Sequence, residues 1–250
     1  MSLRRINIFS VRTMKEVLRD PVNLFFGFIF PVMMLWVLSL IYKQVGKIPG
    51  ATQIDMTQMA AAIASYAPVF LSLFAGMLIA KDRTSTFLNR LFASPMTAVD
   101  FIMGYTLPML VVSVIQSAAT YLCAGFFGFR ITIRVLLAVV IVLLTALMYI
   151  GVGLLCGTVM SDKSVGGVCG AMLTTVSFIL SGLTIPLEIM GSVFQTVAKA
   201  LPFYNAAQAT EMAISGNFAN IWPYLSIVLI YMVACLVAAI VVFAVRKKRC

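Results

Sequence analysis

Residues 22–42 read VNLFFGFIFPVMMLWVLSLIY and lie within a gap of 22 uncharged residues between Asp20 and Lys43. A bilayer core of about 30 Å is crossed by ~20 apolar helical residues, each rising ~1.5 Å. The run is therefore one membrane-crossing helix. Five more gaps between charges follow: 56–80 with 25 residues, 101–129 with 29, 135–161 with 27, 164–187 with 24 and 212–245 with 34. Each holds one crossing and none holds two with room to spare. Barrel strands of ~10 residues do not fit such unbroken runs. The expectation is six helices at about 22–42, 59–80, 102–127, 135–160, 165–185 and 223–245.

Composition agrees. Of 250 residues, 62% are hydrophobic and only 10% charged, against about 25% charged in a soluble domain. The mean hydropathy is +1.06. A soluble fold of this length has too little interior for so much apolar surface, and disorder is excluded by the same figures. Histidine is absent, which removes His-ligated metal sites and Ser/His or Cys/His catalysis. Cys123, Cys156, Cys169 and Cys235 sit inside apolar runs and Cys250 ends the sequence. They read as small hydrophobes without a redox motif. No small-residue cleavage site follows the first apolar run, so no cleavable leader is expected.

With six crossings, both termini share a side with the 81–100 and 161–164 loops. That side carries thirteen of the eighteen Lys and Arg residues, and the other has Lys43, Lys47, Arg130, Arg134 and Lys199. The positive-inside rule places both termini in the cytoplasm. The net charge of +10 is thereby explained by topology, and no nucleic-acid partner is implied.

Three segments outside the spans are patterned. Residues 1–20 form a basic amphipathic helix. Leu3, Ile6, Val11, Met14, Val17 and Leu18 share one arc, Arg4, Arg5, Arg12, Lys15 and Arg19 an adjacent one, and Ile8 and Phe9 fit neither. Such a helix lies in the headgroup plane and stops at Asp20-Pro21. In the second segment, 82–95, Thr84 or Ser85 caps a short helix that Pro95 ends. Phe87, Leu88, Leu91 and Phe92 form its apolar stripe and Arg83, Asn89 and Arg90 its other face. A two-faced helix between spans needs a surface to receive it.

The third segment, 186–217, predicts two short helices, 187–201 and 205–215, on the outer side. After Pro186, residues Leu187, Met190, Val193, Phe194, Val197 and Leu201 face one way, while Glu188, Ser192, Gln195, Thr196 and Lys199 face the other. Pro202 separates the helices, Asn205 with Gln208 resembles a capping box, and Gly216-Asn217 ends the second helix. Within the spans no Asp, Glu, Lys or Arg lies at mid-depth, where coupled carriers place one. The neutral polar residues read as helix-packing contacts, with Gln116, the largest, as a possible pathway-lining group. Gly151, Gly153 and Gly157, and Gly166, Gly167 and Gly170, read as sites of close helix approach.

Three elements together resemble the membrane subunit of type-2 ABC exporters, the permease family of bacterial drug, polysaccharide and peptide export systems, over essentially the whole chain. They are the basic helix before Asp20-Pro21, the loop STFLNRLFASPMTAVDFIMGYTLP after span two, and IPLEIMGSVFQTVAKALPFYNAAQA after span five. Many relatives carry an acidic-Arg-Gly-Thr version of the loop, where this chain has Asp82-Arg83-Thr84-Ser85-Thr86. The resemblance implies an all-α integral membrane fold in a single permease domain spanning 1–250. Segment 82–95 becomes a coupling helix seated on a cytoplasmic ATP-binding subunit, and 186–217 a re-entrant hairpin.

It further implies that the chain is not an enzyme and holds no cofactor, ATP and Mg being bound by the partner subunit. A second permease chain, identical or similar, would complete the pathway in the bacterial cytoplasmic membrane. Phe87, Leu91 and Phe92 would bury in the ATPase subunit, with Arg83 and Arg90 at the rim. An apolar pathway with neutral polar groups favours a hydrophobic or amphipathic cargo such as a drug, lipid or peptide. The alternative from another class is a non-transporting membrane anchor or sensor subunit of a resistance complex.

Overall fold

A computed structural model of the chain describes residues 3–45, 55–84, 97–182 and 191–247. Helices account for nearly all of these residues, and no strand occurs among them. We number the helices in chain order. Helix α1 spans Leu3–Arg19. Six crossing helices follow: α2 (Pro21–Gln44), α3 (Met56–Thr84), α4 (Ala98–Phe126), α5 (Arg134–Val159), α6 (Asp162–Leu180) and, last in the chain, α9 (Phe218–Lys247). Between the last two lie α7 (Ser192–Ala200) and α8 (Pro202–Ser215). The six charge-free gaps thus became six helices, with boundaries shifted by a few residues. The largest shifts, five residues each, are at the start of α9 and at the end of α6, which is followed by Gly182 at φ +73°.

Local chemistry explains the joints. Asp20 caps α2, accepting from the Val22 amide at 2.9 Å, and Pro21 takes the first turn, where its missing N–H costs nothing. Helix α3 is broken at Ala67-Pro68 into Met56–Tyr66 and Val69–Thr84. Short π-helical stretches interrupt α2 at Phe25–Ile29 and α6 at Gly166–Leu173.

Helix α3 is the centre of the bundle: 78% of its most apolar window is buried, against 17–28% for α2, α6 and α9. It meets α5 backbone to backbone. A Cβ on Gly153 or Gly157 would overlap the Ser72 or Gly76 carbonyl, and one on Gly151 would sit tightly, at 3.1 Å, against Cys235 of α9. Small residues at a four-residue spacing permit such an approach in lipid, where packing rather than water drives association. Gly166 and Gly167, expected to do likewise, have no neighbour within 4 Å of a built Cβ. Those two glycines fall in the π-helical stretch of α6, which is loosely covered.

Helix α1 buries a stripe that overlaps the expected one only at Ile6 and Val17. Ile6, Phe9, Thr13 and Val17 are buried while Ile8, Val11 and Leu18 are exposed. Phe9, read from the sequence as a misfit, is the centre of the contact with α4. A built Cβ on Gly104 would overlap its ring, so only glycine admits Phe9 there. The apolar residues left outward on α1 share their side with Lys15, a mix that suits an interfacial helix.

Candidate functional site

At one end of the bundle α1, the end of α3 and the start of α4 are joined by a single polar cluster. Arg12 of α1 grips Asp82 of α3 with two parallel bonds of 2.7 and 2.8 Å, and also donates to Glu16 at 2.7 Å. The Tyr105 hydroxyl of α4 donates to the same Asp82 carboxylate at 2.7 Å. Asp82 is only 5% exposed and Tyr105 fully covered. A buried carboxylate is tolerated because it is both paired and hydrogen-bonded. Burial holds the Glu16 carboxyl above its usual range although Arg12 opposes the shift. For Arg12, burial is outweighed by the bonds to Asp82, and its affinity for the proton rises.

Aromatic rings surround this cluster. Phe9 meets Tyr105 and Phe101 edge-on at 4.9 and 5.9 Å, and Arg12 lies over the Phe9 ring at 5.9 Å. Phe101 in turn touches Phe243 of α9 at 5.3 Å and carries the Lys247 ammonium 5.6 Å above its ring. Such pairs add ~0.5–1.5 kcal/mol each beyond their buried area. Arg83 donates to the carbonyls of Thr158 and Met160, closing the C-terminus of α5, and Arg246 reaches the Val159 carbonyl at 3.4 Å. Cations at a helix C-terminus satisfy orphan carbonyls and oppose the dipole.

The residues that flank 85–96 are thereby fixed. On one side Thr84 is the last residue of α3, its hydroxyl bonded back to the Lys81 carbonyl at 3.0 Å. It closes that helix, where the sequence suggested that it opens another. On the other side Thr97 and Asp100 form a reciprocal capping box that starts α4, at 3.0 and 3.3 Å. Phe87, Leu88, Arg90, Leu91, Phe92 and Pro95 lie outside the described residues, as do Pro186 and Glu188. Arg83, expected to meet a partner's rim, uses both arms of its guanidinium within the chain.

The opposite end holds α7 and α8. Pro202 separates them by serving as the first residue of α8, three residues earlier than the expected start. The Asn205–Gln208 capping box does not form. The Asn205 amide, 2% exposed, donates to the Lys199 and Leu201 carbonyls at 2.8 and 2.5 Å and ties α7 to α8. Gln208 donates to Glu211 at 3.2 Å. Gly216 ends α8 at φ +82° as expected. Helix α8 is stitched to α3 through Ser65, which donates to Thr210 at 2.8 Å. Val193 and Phe194 are exposed and line, with Val176, Ile179, Leu180 and Val197, an apolar cavity of about 390 Å³.

Gln116 is turned inward, toward α3. It is 2% exposed and donates to the Ala67 carbonyl at 3.3 Å, at the break that Pro68 makes in α3. A second apolar cleft, about 410 Å³, opens sideways between α2, α3 and α6, where Met34, Tyr66 and Phe178 contribute its bulk and Thr174 and Thr175 its polarity. No cluster of three or more metal-ligating side chains occurs among the described residues.

Six helices long and apolar enough to cross a membrane, with an amphipathic helix clamped to one end of the bundle, define a multi-pass membrane protein. The model of the ABC-2 type transporter family matches residues 4–215, and the chain belongs to that family. It is the permease component of an ABC transporter, a transport part that is not itself catalytic, and membership implies association with an ATP-binding subunit. The match runs from α1 to the end of α8, with α9 beyond it. Comparison with curated proteins returned no match.

Proposed function

We propose that this chain is half of an ATP-driven exporter, with both termini in the cytoplasm and segment 84–94 seated on the ATP-binding subunit. The observation that carries this reading is the Arg12–Asp82–Tyr105 cluster. It ties α1, α3 and α4 together beside both ends of 85–96, so a displacement of that segment moves three helices as one body. ATP binding by the partner subunits pushes the segment, and α3, at the core of the bundle, passes the motion outward. The orientation follows from the thirteen basic residues on one side.

The second part of the proposal is a paired permease chain. The cleft between α2, α3 and α6 is open on one side, and α2 and α6 are among the least covered spans. A second chain against them encloses an apolar path with neutral hydroxyl groups, suited to a hydrophobic or amphipathic cargo. Helices α7 and α8 cover its outer mouth. The test is reconstitution with the ATP-binding subunit in vesicles. ATP hydrolysis should rise with amphipathic compounds and fail to respond in Leu91→Asp. Cargo-independent hydrolysis, unchanged by Leu91→Asp, contradicts the reading.

A further inference from the structure

The cleft of about 410 Å³ between α2, α3 and α6 has no charged side chain among the described residues that line it. Helix α2 contributes Phe30, Met33 and Met34, α3 contributes Tyr66, and α6 contributes Thr175 and Phe178. Tyr66 is out of its usual place. In a crossing helix tyrosine favours the membrane interface, where its hydroxyl meets water. Tyr66 lies instead one turn from Phe70, the midpoint of α3 (Met56–Thr84). Its ring is held between Phe70 at 6.1 Å and Phe178 at 5.6 Å, and the residue is 7% exposed.

A buried tyrosine hydroxyl usually finds a partner, and one left unpaired is unfavourable. The Tyr66 hydroxyl makes no hydrogen bond among the described residues. It keeps accessible surface, unlike the hydroxyls of Tyr121 and Ser177, which are sealed off without a partner. On α6, Thr174 turns its hydroxyl back onto the Gly170 and Ala171 carbonyls. Thr175, next to it and exposed, makes no such bond. The cleft thus offers hydroxyl donors and lacks an acceptor for them. Each feature narrows the occupant. A cation or an anion would enter apolar surroundings without a counter-charge. An acyl chain fills the space but leaves the Tyr66 hydroxyl unpaired. Aromatic rings and thioethers attract an aromatic ring beyond what its buried area gives.

We propose that the cleft binds an uncharged aromatic compound bearing a carbonyl or ether oxygen, which accepts a hydrogen bond from Tyr66. The proposal rests on reading the cleft as part of the export path, and it names the class of cargo. Its test needs the permease chain alone. Tritiated 9-fluorenone, a neutral three-ring ketone, is bound to the purified full-length chain in lipid nanodiscs, with uptake by protein-free nanodiscs subtracted. Three competitors are fluorene, which lacks the oxygen, cyclododecanone, which lacks the rings, and the N-methylacridinium cation. The wild type should prefer fluorenone to each of them roughly tenfold, about 1.4 kcal/mol. Tyr66→Phe keeps the ring contacts and removes the donor, so fluorenone should fall to the level of fluorene while fluorene itself is unchanged. Phe178→Leu should narrow the preference for fluorenone over cyclododecanone. Equal binding of fluorenone and fluorene in the wild type, a fluorenone preference that survives Tyr66→Phe, or stronger binding of cyclododecanone or the cation overturns the proposal. Because no ATP-binding subunit is present, each of those results leaves the export reading to its own hydrolysis assay.

Discussion

Asp82 concentrates three bonds from two other helices on one buried carboxylate, two from Arg12 and one from Tyr105. Removing its charge takes from the half-buried Arg12 a carboxylate that holds it with two bonds. Breaking a buried pair costs ~3–5 kcal/mol, and the Arg12 side chain is 30% exposed, so Asp82→Asn should destabilise by about 3 kcal/mol, measured by thermal or denaturant unfolding in detergent. Arg12→Gln combined with Asp82→Asn should cost less than the two single changes together, with a coupling of about 1–3 kcal/mol. Additive effects would mean that the pair does not join α1 to α3. This centre was not legible beforehand. Asp82 sits beside Arg83 and Thr84 in a loop-like stretch, while its partner is 70 residues earlier, and periodicity along one helix cannot reveal a pairing across that distance. The contacts of Arg83 and Gln116 were hidden for a related reason: their polarity was visible, but not the open carbonyls of α5 and of the Ala67-Pro68 break that engage them.

At the scale of elements, the spans were the legible part, because exclusion of charge from hydrocarbon is a one-dimensional signal. The Thr97–Asp100 capping box starts α4 four residues before the expected position, because gaps between charges place a helix without locating its cap. The face of α1 was not legible, since the helix has apolar residues on two sides and only packing shows that Phe9 faces inward. The structure assigns that choice to Gly104, whose missing side chain admits the ring. Gly104→Leu should therefore lift α1 from α4, at ~1–3 kcal/mol for the overpacking with loss of the Phe9 contacts added. Its readout is a cysteine placed at Val17, which is 3% exposed. Maleimide should label Val17→Cys slowly in the parent background and rapidly with Gly104→Leu. Continued protection in the Gly104→Leu background would show that α1 is held without the Phe9 seat.

For the whole molecule, family membership implies association with an ATP-binding subunit, and the proposal places that subunit at the end braced by the Asp82 cluster. The core helix α3 runs from a hydroxyl contact with α8 at one end to the Asp82 cluster at the other. One helix thus links the two ends that a transport cycle must coordinate. The apolar residues of 84–94 should dominate assembly, since burying one large apolar side chain is worth ~1.5–3 kcal/mol and an exposed ion pair ~0–1 kcal/mol. The most direct measurement is photo-crosslinking from position 91 in intact cells, with a benzophenone amino acid replacing Leu91 and the crosslinked product identified by peptide mass spectrometry. The account predicts a crosslink to a polypeptide carrying a G-x-x-x-x-G-K-[ST] phosphate loop, and loss of that polypeptide from the purified complex in Leu91→Asp. Crosslinks confined to lipid or to this chain itself, with an ATP-binding subunit still co-purifying in Leu91→Asp, would contradict it.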